Sequence, residues 1–399
     1  MKLFLILSGV LVGFAGQAEP AAAGRHWVGT WGAAPQLTEP RNLPPPPGLT
    51  SNTLRQVVHV SIGGKQVRVR FSNAFGNGPL ALAAVRVAVA AGGSAIKTET
   101  EKALAFSGQP AVTIPAGGTI LSDALDFELA PLSDIAVTIY FRETPAAVTG
   151  HPGSRATSFL VAGDDVSAAA LPEAARPQHW YVLTGLDVLR ENSAAAVVTL
   201  GDSITDGRGS DTDKNNRWPD ALANRLQTNV GTGNVAVLNA GIGGNCVLRG
   251  GLGPPATARF DRDVLGQESV RWLIVLEGVN DIGGSRGTHS TVAEELIAAY
   301  QKLIGHAHAK KIRVYGATLL PFGGSQYASA GHEAARQAVN AWIRTGGKFD
   351  AVIDFDAALR DPQNPSKLLP AADSGDHLHP SVKGHQVMAD GVDLKLFAK

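Results

Sequence analysis

From residue 194 onward, short continuous apolar runs alternate with stretches whose apolar positions recur at helical spacing. The runs cover residues 195–200, 235–238, 272–276, 312–317 and 351–355. They are short and rich in β-branched residues, the pattern of strands buried on both faces of a parallel sheet. Between them, Trp218, Leu222 and Leu226 mark one helix, and residues 332–343 another. Thr291-Val292-Ala293-Glu294 has the form of a capping box, opening a helix with Leu296, Ile297, Tyr300 and Leu303 on its apolar side. A last helix is expected to begin between Ser381 and Gly384. Strands alternating with helices predict an α/β domain of three layers over 194–399.

The pattern before this point has period two. Residues 54–62 alternate, Gly63-Gly64 gives a hairpin signal, and residues 66–72 alternate again with Val67, Val69 and Phe71 on one face. Residues 84–89, 111–114, 124–129 and 135–141 are further short strands between turn residues, which predicts a β-sandwich domain over 24–145. The turn-rich stretch 149–155 and the Ala-rich stretch 164–176 read as a linker and domain-joining segment over 146–193, with 179–183 as one added strand. Residues 1–23 have a different character. Lys2 precedes an apolar run over 3–14 and then small residues. That is the form of a secretory signal peptide, too short for a comfortable membrane span. The expectation is a secreted or periplasmic protein with no stable membrane insertion after the signal is removed.

Composition narrows the class. The chain has 399 residues, 44% of them hydrophobic, which is ample for two packed cores. Lys plus Arg and Asp plus Glu each number 35, so the formal net charge is zero and no nucleic-acid footprint is expected. Cys246 is the single cysteine, so an internal disulfide is excluded; we read it as a small hydrophobe rather than a second nucleophile. No His, Cys, Asp and Glu set has a recognised metal-ligand spacing, and neither a metal nor a cofactor is expected.

Candidate chemistry gathers at the ends of the apolar runs. The first leads into Gly201-Asp202-Ser203, the second into Asn239-Ala240-Gly241-Ile242-Gly243-Gly244-Asn245, and the third into Gly278-Val279-Asn280-Asp281. Asp376-His377-Leu378-His379-Pro380 follows near the C-terminus. A serine at the C-terminal tip of a strand lies where open α/β sheets bind ligands. In this order the blocks resemble the SGNH/GDSL hydrolase family over about residues 195–395. The resemblance implies an SGNH-hydrolase-like sheet domain and a serine ester hydrolase. Ser203 is then the nucleophile, His379 the base and Asp376 the residue that orients it. The oxyanion hole is implied to be the Ser203 N–H, the Gly244 N–H and the Asn280 side chain. Gly243 is nearly equivalent to Gly244, and the count of five from Asn239 selects the latter.

Bland readings stand beside these. Asp373 and His377 form a second acid–histidine pair, but their spacing of four does not match the block. Asp202, Asp206 and Asp281 are expected to shape loops, and His151 and His179 are isolated histidines. Gly-x-Ser-x-Gly is absent, which sets the chain apart from the ordinary α/β-hydrolase arrangement. Expected substrates are small-molecule or glycan esters with short-chain or acetyl acyl groups. The alternatives are a carbohydrate O-acetyl esterase, a lysophospholipase or lipase, or a non-catalytic carbohydrate-binding protein on the same fold. Trp27, Trp31, Phe71 and Phe75 in the β-rich part serve equally as sugar platforms or as core.

Overall fold

The computed structural model describes residues 24–191, 193–286 and 289–398, so the signal segment expected over 1–23 lies outside them. In the C-terminal half five strands form one parallel sheet, in the order Val235–Gly241, Ala195–Gly201, Val270–Leu276, Arg313–Ala317, Ala351–Ile353. Every pairing between neighbours is parallel. The chain steps one way from Ala195–Gly201 to Val235–Gly241 and the other way from Val270–Leu276 to Arg313–Ala317. Right-handed crossovers therefore put helix Trp218–Thr228 and helix His289–Ala309 on opposite faces. Each has a companion: Val382–Asp390 packs beside the first and Ala330–Thr345 beside the second. The order reverses beside Ala195–Gly201, which makes the tip of that strand the switch point where a crevice opens.

Local signals explain the helix boundaries. Ser329 Oγ accepts the His332 N–H at 3.0 Å and Ser381 Oγ the Gly384 N–H at 3.2 Å, each capping its helix. The helix expected to open at Thr291 begins earlier, at His289.

The N-terminal half is a β-sandwich of antiparallel sheets. One runs Arg25–Gly32, Leu183–Glu191, Gly64–Ser72, Leu125–Leu129; the other runs Ser158–Ala162, Asn52–His59, Asp134–Glu143, Leu80–Gly92. Two expectations need correction here. Gly63-Gly64 is not a hairpin, because the strands on either side of it belong to different sheets. Thr30 fixes that crossing: its Oγ1 donates to the Ile62 carbonyl at 2.6 Å and accepts the Ile62 N–H at 3.0 Å. Residues 146–193 are not a linker either. They hold Thr149–His151, Ser158–Ala162, Trp180–Tyr181 and Leu183–Glu191, and the last of these runs between Arg25–Gly32 and Gly64–Ser72.

The two halves share one apolar core, in which Val28, Trp31 and Leu186 continue into Val197, Leu238 and Leu273. Polar ties cross the same boundary. Ser61 Oγ accepts the Val237 N–H at 3.1 Å, and Arg68 pairs with Glu268 at 2.6 Å. Phe71 and Trp31 are core residues, while Trp27 and Phe75 lie under the guanidinium groups of Arg68 and Arg262.

Candidate active site

Ser203 opens a four-residue helix directly after strand Ala195–Gly201. Asp202 caps that turn by accepting the Ile204 N–H at 2.9 Å. As the first helical residue, Ser203 keeps its own N–H without an intrahelical partner. Its Oγ lies 2.7 Å from His379 Nε2, and His379 Nδ1 lies 2.7 Å from Asp376 Oδ2. A carboxylate facing Nδ1 fixes the proton there and leaves Nε2 as the acceptor for the serine hydroxyl. Burial would push the Asp376 carboxyl up, yet the backbone and ring N–H groups of His379 and the Leu378 N–H bring it down to about 2. Burial lowers the basicity of His379, and Arg208 and Arg155 add to that against the pull of Asp376. At neutral pH the pair is thus an ionised carboxylate and a neutral imidazole.

The two nearly equivalent glycines are separated by their hydrogen bonds. Gly243 donates its N–H to Asp206 Oδ2 at 3.1 Å. The Gly244 N–H has no partner among the described residues and lines the same cleft as Ser203. Gly244 has φ of +71°, a conformation open to glycine. Asn280 Nδ2 donates one proton to the Asn245 carbonyl at 2.8 Å, and Asn280 Oδ1 accepts from Tyr327 Oη at 2.9 Å. Those two bonds fix the amide plane and leave the second N–H for the cleft. Asp373 and His377 pair with each other at 2.6 Å and lie outside the cleft lining.

Behind the strand tips is a residue that no motif announces. The fully buried guanidinium of Arg259 donates to the Gly201 carbonyl at 3.1 Å, the Ala240 carbonyl at 2.7 Å and Asn245 Oδ1 at 3.0 Å. It also meets Glu277 at 3.3 Å and Asp263 at 3.2 Å. One side chain thereby ties together the ends of the strands that carry Ser203, Gly244 and Asn280. Burial raises Asp202 to about 7 and drives Glu277 well above its ordinary value. Burial, joined by Asp281, Glu277 and Asp202, also pushes the Cys246 thiol up to about 12. Cys246 therefore stays protonated at neutral pH, which suits a packing role.

The cleft has a volume of about 540 Å³, and its walls come from both halves of the molecule. Ser203, Gly244, Asn280 and His379 form one side, while Gln36, Glu39, Arg41, Asn42, Arg155 and His179 arrive from the β-rich half. His151 also comes from that half, on strand Thr149–His151. Its Nε2 lies 2.8 Å from Asp206 Oδ1 and its Nδ1 2.9 Å from the Ala34 carbonyl. Gly153 makes room for the carboxylate: a Cβ there would come within 1.8 Å of Asp206 Oδ2. Asp206 does shape a loop, as expected, but the loop is the one carrying Gly243 and Gly244.

Among the described residues no cluster of His, Cys, Asp and Glu fit to hold a metal ion occurs, and no helix is long and apolar enough to cross a membrane. A model of the GDSL-like lipase/acylhydrolase family matches residues 199–387. No curated protein matches the chain. Among solved structures, the acetylxylan esterase Axe2 from Geobacillus stearothermophilus is 22% identical, over 51% of this chain and 94% of that one, with a TM-score of 0.39. Est24, a carbohydrate acetylesterase from Sinorhizobium meliloti, is 16% identical over 51% of this chain and 98% of that one, with a TM-score of 0.38.

Proposed function

Because residues 199–387 belong to the GDSL-like lipase/acylhydrolase family and mark the chain as a carboxylic ester hydrolase, we propose that it cleaves short-chain or acetyl esters of polar alcohols through an acyl-Ser203 intermediate. The observation that carries this reading is the 2.7 Å contact between Ser203 Oγ and a His379 whose other nitrogen is held by Asp376. His379 takes the hydroxyl proton as Ser203 attacks the ester carbonyl, and Asp376 balances the imidazolium that forms. The Ser203 and Gly244 N–H groups and the free N–H of Asn280 Nδ2 receive the negative oxygen. Collapse releases the alcohol with the proton from His379. Water, activated by the same base, then frees the acid.

A small acyl group fits the lining. Leu252, Leu378, Pro152 and the ring of Tyr327 are its apolar side chains, too few to hold a long acyl chain. The N-terminal run after Lys2 supports action outside the cytoplasm. The test is hydrolysis of aryl acetate and aryl palmitate by the wild type and by Ser203→Ala. The acetate should be favoured, and the variant should lose several powers of ten in kcat while keeping its melting temperature. Undiminished turnover by Ser203→Ala would remove the proposed nucleophile.

A further inference from the structure

Positive charge is unevenly placed around the proposed nucleophile. Arg41, Arg155 and Arg208 all line the cleft. The carboxylates on the same walls are largely committed: Asp206 to His151, Asp376 to His379, and Glu39 to the side-chain amides of Gln36 and Asn42 at 3.1 and 2.8 Å. Arg208 reaches Asp376 only at 3.8 Å. Among the described residues neither Arg41 nor Arg155 has an ion-pair partner, and Arg155 Nε is a buried donor without an acceptor. Arg155 also has φ of +51°, a strained backbone for a long side chain, held where its carbonyl accepts the Asp213 N–H.

The chemistry fixes which half of the substrate these groups face. His379 returns the proton to the departing oxygen, so the alcohol half must lie beside its Nε2. Arg208 and Arg155 are close enough to depress the basicity of that same imidazole. Both line the cleft that holds His379, and Arg208 reaches the Asp376 carboxylate that holds the other side of the ring. In the proposed reaction the carbonyl oxygen faces Gly244, and the side chain nearest that glycine is Leu252.

We propose that the natural substrate is an ester of an acidic alcohol, a hydroxylated compound bearing a carboxylate that Arg155 and Arg208 bind, with Arg41 further along the wall. This specificity rests on the ester-hydrolase reading and deepens it. Arginine suits the task because its planar fork binds a carboxylate through two parallel hydrogen bonds.

The test compares 4-acetoxybenzoate with its neutral methyl ester, methyl 4-acetoxybenzoate. The acyl group and ring are the same, and the anionic compound has the poorer leaving phenol, so intrinsic reactivity works against the expected result. At low salt kcat/KM should favour the anion by about tenfold, the equivalent of about 1.4 kcal/mol. The preference should shrink toward parity near 1 M salt, where the screening length is about 3 Å. Arg155→Gln and Arg208→Gln should each lower the anion-to-neutral ratio several-fold, and Arg208 is exposed enough to be changed without unfolding the protein. Ser203-dependent hydrolysis of both esters with a ratio at or below one would overturn the inference and leave the ester-hydrolase reading standing. A preference unchanged in both arginine variants would overturn the assignment to these residues. Failure to cleave either ester would sink the ester-hydrolase reading, and this inference with it.

Discussion

His151 Nε2 lies 2.8 Å from Asp206 Oδ1, and both side chains are buried. The other ring nitrogen faces the Ala34 carbonyl, and the oxygens on both sides raise the basicity of the ring against the effect of burial. A histidine from the β-rich half thus holds the carboxylate that receives the Gly243 N–H.

Removing either partner should free the glycine loop. Asp206→Ala and His151→Ala are each expected to lower kcat about 10- to 100-fold with a smaller change in KM, because a misplaced oxyanion donor acts on the transition state. The double variant should be no worse than either single one. Asp206→Asn is the informative control. Its Oδ1 can still accept the Gly243 N–H while its Nδ2 donates to a neutral His151, so it should retain most of the activity. Steady-state kinetics on an aryl acetate decide it; additive losses in the double variant would count against the linkage.

The same pair makes a statement about pH and stability. Burial alone would lower the pKa of His151, but the charge and hydrogen bond of Asp206 and the Ala34 carbonyl raise it overall, while Arg217 opposes them. A histidine with a raised folded pKa gives its full stabilisation below its unfolded value of about 6.5 and loses it as pH rises through the folded value. Denaturant midpoints measured from pH 6 upward should therefore fall on the alkaline side, and fall less in His151→Gln. Parallel curves for the two proteins would show that the pair is not the source.

For activity the proposed base is His379, and its shift has the opposite sign. Burial, joined by Arg208 and Arg155, lowers its pKa from the ordinary value. The neutral, proton-accepting form therefore persists below about pH 6.5, and the acid limb of kcat/KM should have its midpoint lower than that. Arg208→Gln should move the midpoint upward. A limb at or above 6.5 in the wild type would contradict the assigned environment.

Asn280 is expected to matter for rate rather than for folding. Asn280→Ala should lower kcat about 10²- to 10³-fold with little change in KM. Tyr327→Phe removes only the hydroxyl that orients the amide and should cost less. A large drop in melting temperature with near-normal kcat in Asn280→Ala would assign that residue to the loop instead of the oxyanion.

Arg259 presents the reverse case. Arg259→Met would strip the donor from two strand-end carbonyls and leave Glu277 and Asp263 buried without their cation. A loss of about 3–5 kcal/mol in unfolding free energy is the expected scale for breaking such a buried pair from one side. Urea denaturation measures it directly.

These residues also show where sequence reading stops. Ser203, Gly244, Asn280 and His379 can be singled out as candidates because each follows a strand signal or lies in a compact block. Arg259 cannot, since its partners are mostly carbonyls and carboxylates from separate strands, a set that no local spacing encodes. His151 looked isolated for the same reason: Asp206 lies 55 positions away. The strand Leu183–Glu191 carries the polar Asp187 at its middle, buried against Arg68 at 3.0 Å, a long-range pairing that no local pattern announces. Gly63-Gly64 carried a true turn signal, and only the pairing of distant strands decides whether a turn closes a hairpin or crosses between sheets.

The first strand of the fold waits on residues far along the chain. His26 donates to the Ala194 carbonyl, 168 residues further on, and the Trp27 carbonyl accepts from Ser269, 242 residues further on. During synthesis the strand Arg25–Gly32 emerges long before either partner exists, with Val28 and Trp31 uncovered. Closing contacts of such sequence separation is slow. The nascent chain therefore spends its early life with these apolar side chains exposed, and they are packed against the second half only once Val197 and Leu238 have been made.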